Sequence, residues 1–190
     1  YVIIPFRRKG RGYRAQMESA LKYMLFGALA TGITLYGVSY VYGLTRTTYL
    51  NELAAMVPAM LASQPLLVVG FTLIFCGIFF KLALFPMHFW APDVYQGAAN
   101  ETSTFVATMP KVGATVLLLR LASLMGQDPT VLTLIIAILA VLSMTLGNLS
   151  ALVQDDIKRL MAYSSIAHAG YLMVGVVAGS DAGLVGAYLL

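Results

Sequence analysis

Two lysines stand where a cation is costly. Lys81 lies inside the apolar run Leu66-Leu-Val-Val-Gly-Phe-Thr-Leu-Ile-Phe-Cys-Gly-Ile-Phe-Phe-Lys81-Leu-Ala-Leu-Phe-Pro86, and Lys111 lies in a second apolar run directly after Pro110. An ammonium at the centre of a membrane helix costs about 2.5 to 3.5 kcal/mol on insertion scales. An amine held out of water is also readier to exchange its proton near neutrality. A proline close to each lysine breaks or strains its helix, freeing carbonyls and leaving room for water. That is the arrangement found at the midplane of transporters. The chemistry implied is passage of charge, with protons the natural cargo.

Further titratable and hydroxyl groups sit near these two. Glu18 and Lys22 are one helical turn apart in the favourable order for an ion pair. Their plain reading is an interfacial pair that helps insertion. His88 follows Lys81 by seven residues and titrates near neutrality, so it can link Lys81 to the loop beyond. Thr104 and Thr108 precede Lys111 at helical spacing and offer hydroxyls on its face. His168 enters with Tyr163, Ser164 and Ser165 and is a further relay candidate, with a purely structural histidine as the alternative.

Elements able to place these groups follow from composition. The chain is 59% hydrophobic and 11% charged, with a mean hydropathy of +0.82. Soluble domains carry about 25% charged residues, so a polytopic helical membrane protein is expected. Long apolar runs also exclude the alternating strands of an outer-membrane barrel. Cys76, the single cysteine, reads as a packing residue with no metal-ligand spacing around it. The sequence shows no phosphate-binding loop or dinucleotide fingerprint.

The expected architecture is all-α: the end of one helix at 1–6, helices at about 17–42, 65–89, 103–125, 130–153 and 160–178, and the start of another at 183–190. The helix at 65–89 is expected to be discontinuous between Lys81 and Pro86. A short interfacial helix is expected at 51–62, and Trp90 and Tyr95 are expected at the headgroup level. These bounds read as part of a longer chain. Placing Arg7, Arg8, Lys9, Arg11 and Arg14 on the cytoplasmic side puts Lys158 and Arg159 there too, with Arg46 and Arg120 toward the other side. The basic loop therefore reads as a topology signal, with no nucleic-acid partner.

The run Phe80-Lys-Leu-Ala-Leu-Phe-Pro-Met-His-Phe-Trp-Ala-Pro-Asp-Val-Tyr-Gln-Gly-Ala98 resembles the antiporter-like membrane subunits of respiratory NADH–quinone oxidoreductase (complex I). Its Asp93-Val-Tyr-Gln-Gly-Ala98 portion points to the subunit N family, with its mitochondrial and chloroplast homologues. Further matches are Glu18-Ser-Ala-Leu-Lys-Tyr23, Pro110-Lys-Val112, Gly147-Asn-Leu149 and Asp156-Ile-Lys-Arg-Leu-Met-Ala-Tyr-Ser-Ser-Ile-Ala-His-Ala-Gly-Tyr171. One departure is Ala99-Asn-Glu101-Thr, where many relatives have Pro-x-Pro.

The resemblance implies the middle of a proton-pumping subunit with an antiporter-like fold. Lys81 then matches the lysine of the broken helix and Lys111 that of the next, while Glu18, Lys22 and His88 fall on positions regarded as functional. It also implies no cofactor or metal on this chain. NADH, FMN, iron–sulfur clusters and quinone are expected on other subunits, with the other membrane subunits and the lipid bilayer as partners. The expected location is the bacterial inner membrane. A multisubunit cation/proton antiporter of the same fold is the alternative; its subunits lack the Asp-Val-Tyr-Gln-Gly signature.

Overall fold

The computed structural model describes residues 13–125 and 131–178, together with Gly183 and Gly186. The expected tail at 1–6, the basic loop through Arg11 and nearly all of 183–190 lie outside the described residues.

Among the described residues, seven α-helices follow in order: α1 Tyr13–Thr45, α2 Leu50–Ser63, α3 Pro65–Leu82, α4 Trp90–Gly97, α5 Asn100–Ala122, α6 Val131–Leu152 and α7 Ile157–Val177. A 3₁₀ turn, Ser123–Met125, closes α5. There is no strand among the described residues. Among the described residues, five helices are long and apolar enough to cross a membrane: α1, α3, α5, α6 and α7. At about 1.5 Å per residue, the 33 residues of α1 exceed a hydrocarbon core roughly 30 Å thick.

Close packing rests on small residues. A Cβ on Gly37 of α1 would lie 2.7 Å from the Gly70 carbonyl oxygen of α3, and one on Gly147 of α6 would lie 2.7 Å from the Ala167 nitrogen of α7. Both pairs therefore approach to backbone contact, the usual route to tight helix association in lipid. One apolar core joins α2, α3, α5, α6 and α7 through Val57, Phe71, Leu118, Ile136 and Met173. A second gathers Ala30, Phe80, Ala83, Trp90, Tyr95 and Ile166 around the break.

The break itself is a closed piece of hydrogen bonding. Ala83 takes the left-handed conformation at φ 59° and ψ 39°. Its N–H donates to the Phe80 carbonyl at 3.1 Å, and the Leu84 N–H donates to that of Phe79 at 2.9 Å. These are the two bonds of a Schellman ending, with alanine where glycine is usual. The Trp90 indole N–H also donates to the Phe80 carbonyl, at 2.9 Å. From α6, the fully buried Ser143 accepts the Phe85 N–H at 2.9 Å and donates to the Leu139 carbonyl at 2.7 Å.

Helix α3 thus ends at Leu82, and the expected span 65–89 is two helices with a linker. The helix stops a turn before Pro86 because proline disfavours helical geometry at Phe85 and supplies no N–H for the carbonyl four residues earlier. Nor do Trp90 and Tyr95 sit at a headgroup surface; they are 1% and 4% exposed. The break tucks α4 back into the bundle, where the Phe80 carbonyl satisfies the indole.

Ion pairs and apolar contacts define two ends of the bundle. At one, the start of α1, helix α4 and the start of α7 are tied through Lys22, Asp93 and Arg159. At the other, Leu53, Val57 and Leu61 of α2 share a core with Leu124 of the 3₁₀ turn.

Candidate functional site

Lys81 occupies the last turn of α3. There the C-terminal end of the helix dipole favours a cation, so the break offsets part of the cost of the charge that it carries. Its side chain is exposed on this chain and faces a cavity of about 480 Å³ lined by Tyr23, Thr31, Thr34, Phe80 and Pro110.

Lys111 is held differently. Its ammonium donates to the Ser165 hydroxyl of α7 at 2.8 Å and lies 5.8 Å from the Tyr95 ring centroid, within reach of a cation–π attraction. It faces a cavity of about 510 Å³ lined also by Thr108, Ser164 and His168. A neighbouring cavity of about 470 Å³, lined by Tyr95, Ser103, Thr104, Lys158 and Ser165, shares Ala107, Met161 and Ser165 with it. The two cavities therefore adjoin on the Lys111 side of α5.

The structure therefore separates the two lysines. Pro110, Gly113, Ala114 and Leu117 of α5 face the Lys81 cavity, whereas Thr108, Lys111, Val112 and Thr115 face the other. Thr104 and Thr108 do not lie between the lysines. Thr108 lines the Lys111 cavity and Thr104 the adjoining one, and each hydroxyl donates to the carbonyl four residues earlier, at 2.9 Å. His168 does line the Lys111 cavity, with Nδ1 2.9 Å from the Ser164 carbonyl.

Glu18 and Lys22 form the expected pair, at 2.7 Å. Lys22 also reaches Asp93 Oδ2 at 2.9 Å, and Asp93 Oδ1 lies 3.0 Å from Arg159 Nη1. One carboxylate on α4 thus bridges α1 and α7. Arg159 is positioned by Asp156, whose side chain caps α7 by accepting the Lys158 and Arg159 N–H groups at 2.8 and 3.1 Å. Those bonds hold the Asp156 carboxyl below its ordinary range. Lys158 reaches back to the Ala98 carbonyl at 3.0 Å.

His88 lies in the linker, its ring stacked on Phe85 at 5.8 Å. Burial pushes it below its ordinary range, against a smaller opposing effect from the Pro86 backbone. Its buried Nδ1 has no hydrogen-bond partner among the described residues. It lines neither lysine cavity.

Sequence reasoning assigned no role in the site to Asp93, Tyr95, Ser165 or Ser143. Asp93 was traceable only as an acid within a signature motif, because its cations lie 71 and 66 residues away.

A membrane helix bundle with a broken, lysine-bearing helix and a second lysine in the next long helix defines an antiporter-type membrane protein. Residues 1–190 match the family described as NADH:quinone oxidoreductase/Mrp antiporter, TM, and the chain belongs to that family. It is 54% identical over 184 residues to NADH-quinone oxidoreductase subunit N 2 of Solidesulfovibrio magneticus, covering 97% of this chain and 38% of that protein. It is 48% identical over 187 residues to the subunit N 2 of Opitutus terrae, covering 98% of this chain and 39% of that protein. The chain thus spans well under half the length of these relatives.

Among solved structures, it resembles a chain of respiratory complex I from Thermus thermophilus with bound aureothin. The TM-score is 0.78 at 40% identity, over 95% of this chain and 37% of that one. A chain of the Mrp complex from Dietzia sp. matches with a TM-score of 0.87 over 98% of this chain and 34% of that one. At 22% identity that second likeness speaks to the fold alone. The protein is an integral, multi-pass membrane protein of the antiporter-like fold, and the described chain is a fragment of it.

Proposed function

We propose that this chain is the middle part of a proton-translocating, antiporter-like subunit of a bacterial NADH:quinone oxidoreductase, seated in the inner membrane among the other membrane subunits. Protons pass through Lys81, Lys111 and water, and the chain carries no redox centre of its own. NADH, FMN, iron–sulfur clusters and quinone belong to other subunits of the assembly.

The observation that carries this reading is Lys111, bonded to one serine hydroxyl inside a cavity that also presents Thr108, Ser164 and His168. An ammonium bonded to a neutral hydroxyl, with no carboxylate partner among the described residues, is not held to its proton by an opposite charge, and the hydroxyls and imidazole around it offer routes onward. Lys81 supplies a second such site beyond α5. Glu18 and Lys22, with Asp93 and Arg159, supply a charge network at one end of the bundle.

The test is NADH-driven proton uptake into vesicles carrying the complete complex, with assembly checked through its flavin and iron–sulfur content. Lys111→Ala and Lys81→Ala are each expected to depress pumping sharply in assembled complex. Normal pumping in either variant would remove that lysine from the mechanism. Purification free of flavin and iron–sulfur subunits would favour a cation/proton antiporter instead.

A further inference from the structure

Gly77 lies one turn before Lys81 on α3, and a hydroxyl from α1 takes the place where its side chain would stand. A Cβ on Gly77 would lie 1.8 Å from Thr34 Oγ1 and 3.1 Å from Thr34 Cβ. The glycine is therefore a notch that receives the Thr34 side chain. Thr34 donates its hydroxyl proton to the Ala30 carbonyl of its own helix, at 2.8 Å. The proton is thus spent on the backbone, and the oxygen keeps room to accept. In a helix the Cα–Cβ bonds tilt toward the N-terminus, so a long side chain covers the turn before its own. For Lys81 that turn carries Gly77. Lys81, Gly77 and Thr34 accordingly line one cavity. The Lys111 site uses the same kind of group: Ser165 donates to the Ala162 carbonyl at 2.8 Å and accepts from the ammonium at 2.8 Å.

We propose that Thr34 is the positioning residue for Lys81, its backbone-bonded hydroxyl accepting an N–H of the Lys81 ammonium over the Gly77 notch. The bond turns the ammonium toward α1 and into the cavity. Its acceptor is neutral, so the cation is held in place without an opposite charge that would fix its proton. When Lys81 gives that proton to water in the cavity, the neutral amine becomes a weaker donor and its hold on Thr34 loosens; reloading restores it. Glycine at 77 is what admits the oxygen, because any side chain there would occupy the hydroxyl's place.

This inference rests on the proton-translocation reading above, and the two fail differently. Variants are compared in the complete complex by NADH-driven proton uptake per assembled complex. Thr34→Ala should lower pumping by roughly tenfold, the worth of one hydrogen bond to a charged group. Thr34→Ser, which keeps the hydroxyl, should recover most of it. Thr72 of α3 is the control: its hydroxyl donates to the Val68 carbonyl at 2.8 Å and lines none of the three cavities. Thr72→Ala should pump as wild type does. Combining Thr34→Ala with Gly77→Ala refills the notch with a methyl group, so thermal stability should return toward wild type while pumping stays low. Wild-type pumping in Thr34→Ala would overturn the proposal. So would a refilled notch that pumps normally, since Thr34 would then only fill space. If Lys81→Ala itself pumps normally, the underlying reading of that lysine falls as well.

Discussion

Asp93 Oδ2 lies 2.9 Å from Lys22 Nζ, across 71 residues of sequence. With Arg159 at 3.0 Å on its other oxygen, this one carboxylate fixes the half-helix beyond the break to the helices on either side of it. All three side chains are about a third exposed, at 38, 31 and 30%. Each pair is therefore worth little in isolation, about 0 to 1 kcal/mol.

Asp93→Asn should accordingly cost about 1 kcal/mol in stability, with the loss shrinking as salt rises. Pumping should fall as well, because α4 carries the Tyr95 ring that lies 5.8 Å from the Lys111 ammonium. Thermal unfolding of the solubilised complex at low and high ionic strength checks the first expectation. A cycle with Lys22→Gln checks the second: the two changes share a bond and should be less than additive.

At the break, Ser143→Ala would leave the Phe85 N–H without its acceptor. A loss of about 1 to 3 kcal/mol is expected. Ala83→Gly should act in the opposite direction, by about 0.5 to 1 kcal/mol, since Ala83 sits at φ 59°, where only glycine is at ease. Thermal unfolding of the two variants in one preparation decides it, and a stabilising Ser143→Ala would refute this account of the linker.

Gly147→Ala places a methyl carbon 2.7 Å from a backbone nitrogen of α7. Backbone yields little, so α6 and α7 must part, at about 1 to 3 kcal/mol. The expected readout is a lower midpoint of unfolding and faster proteolysis at 154–156, with Gly147→Ser no better than alanine.

His88 gives a pH dependence. Burial lowers its folded value below the ordinary 6.5. Below 6.5 the unfolded chain binds the proton more readily than the folded one, so its contribution to stability is complete above that value. It is lost progressively as pH falls through the window beneath it. Thermal stability measured between pH 5 and 8 should therefore slope downward toward acid, and His88→Gln should flatten that part of the slope.

The break was legible because two costs coincide in the sequence, a cation in an apolar run and a proline five residues on. Its exact ending was not, because the left-handed turn falls on alanine, a residue that gives no such signal. The Glu18–Lys22 pair was legible from local spacing. Asp93 with Arg159, Ser165 with Lys111, and Ser143 with Phe85 were not, since each joins separate helices and periodicity carries no record of which faces meet. Trp90 and Tyr95 misled for a related reason: aromatic residues beside a polar loop look interfacial until the break folds them inward.

The hydrogen bonding at 82–85 has a bearing on motion. The Phe79 and Phe80 carbonyls and the Ala83, Leu84 and Phe85 N–H groups all have partners, so using this bend as a hinge would mean breaking several hydrogen bonds at once. A machine built on it would switch by rotating side chains and re-threading water around a fixed frame, much as a lock's wards stay still while its pins move.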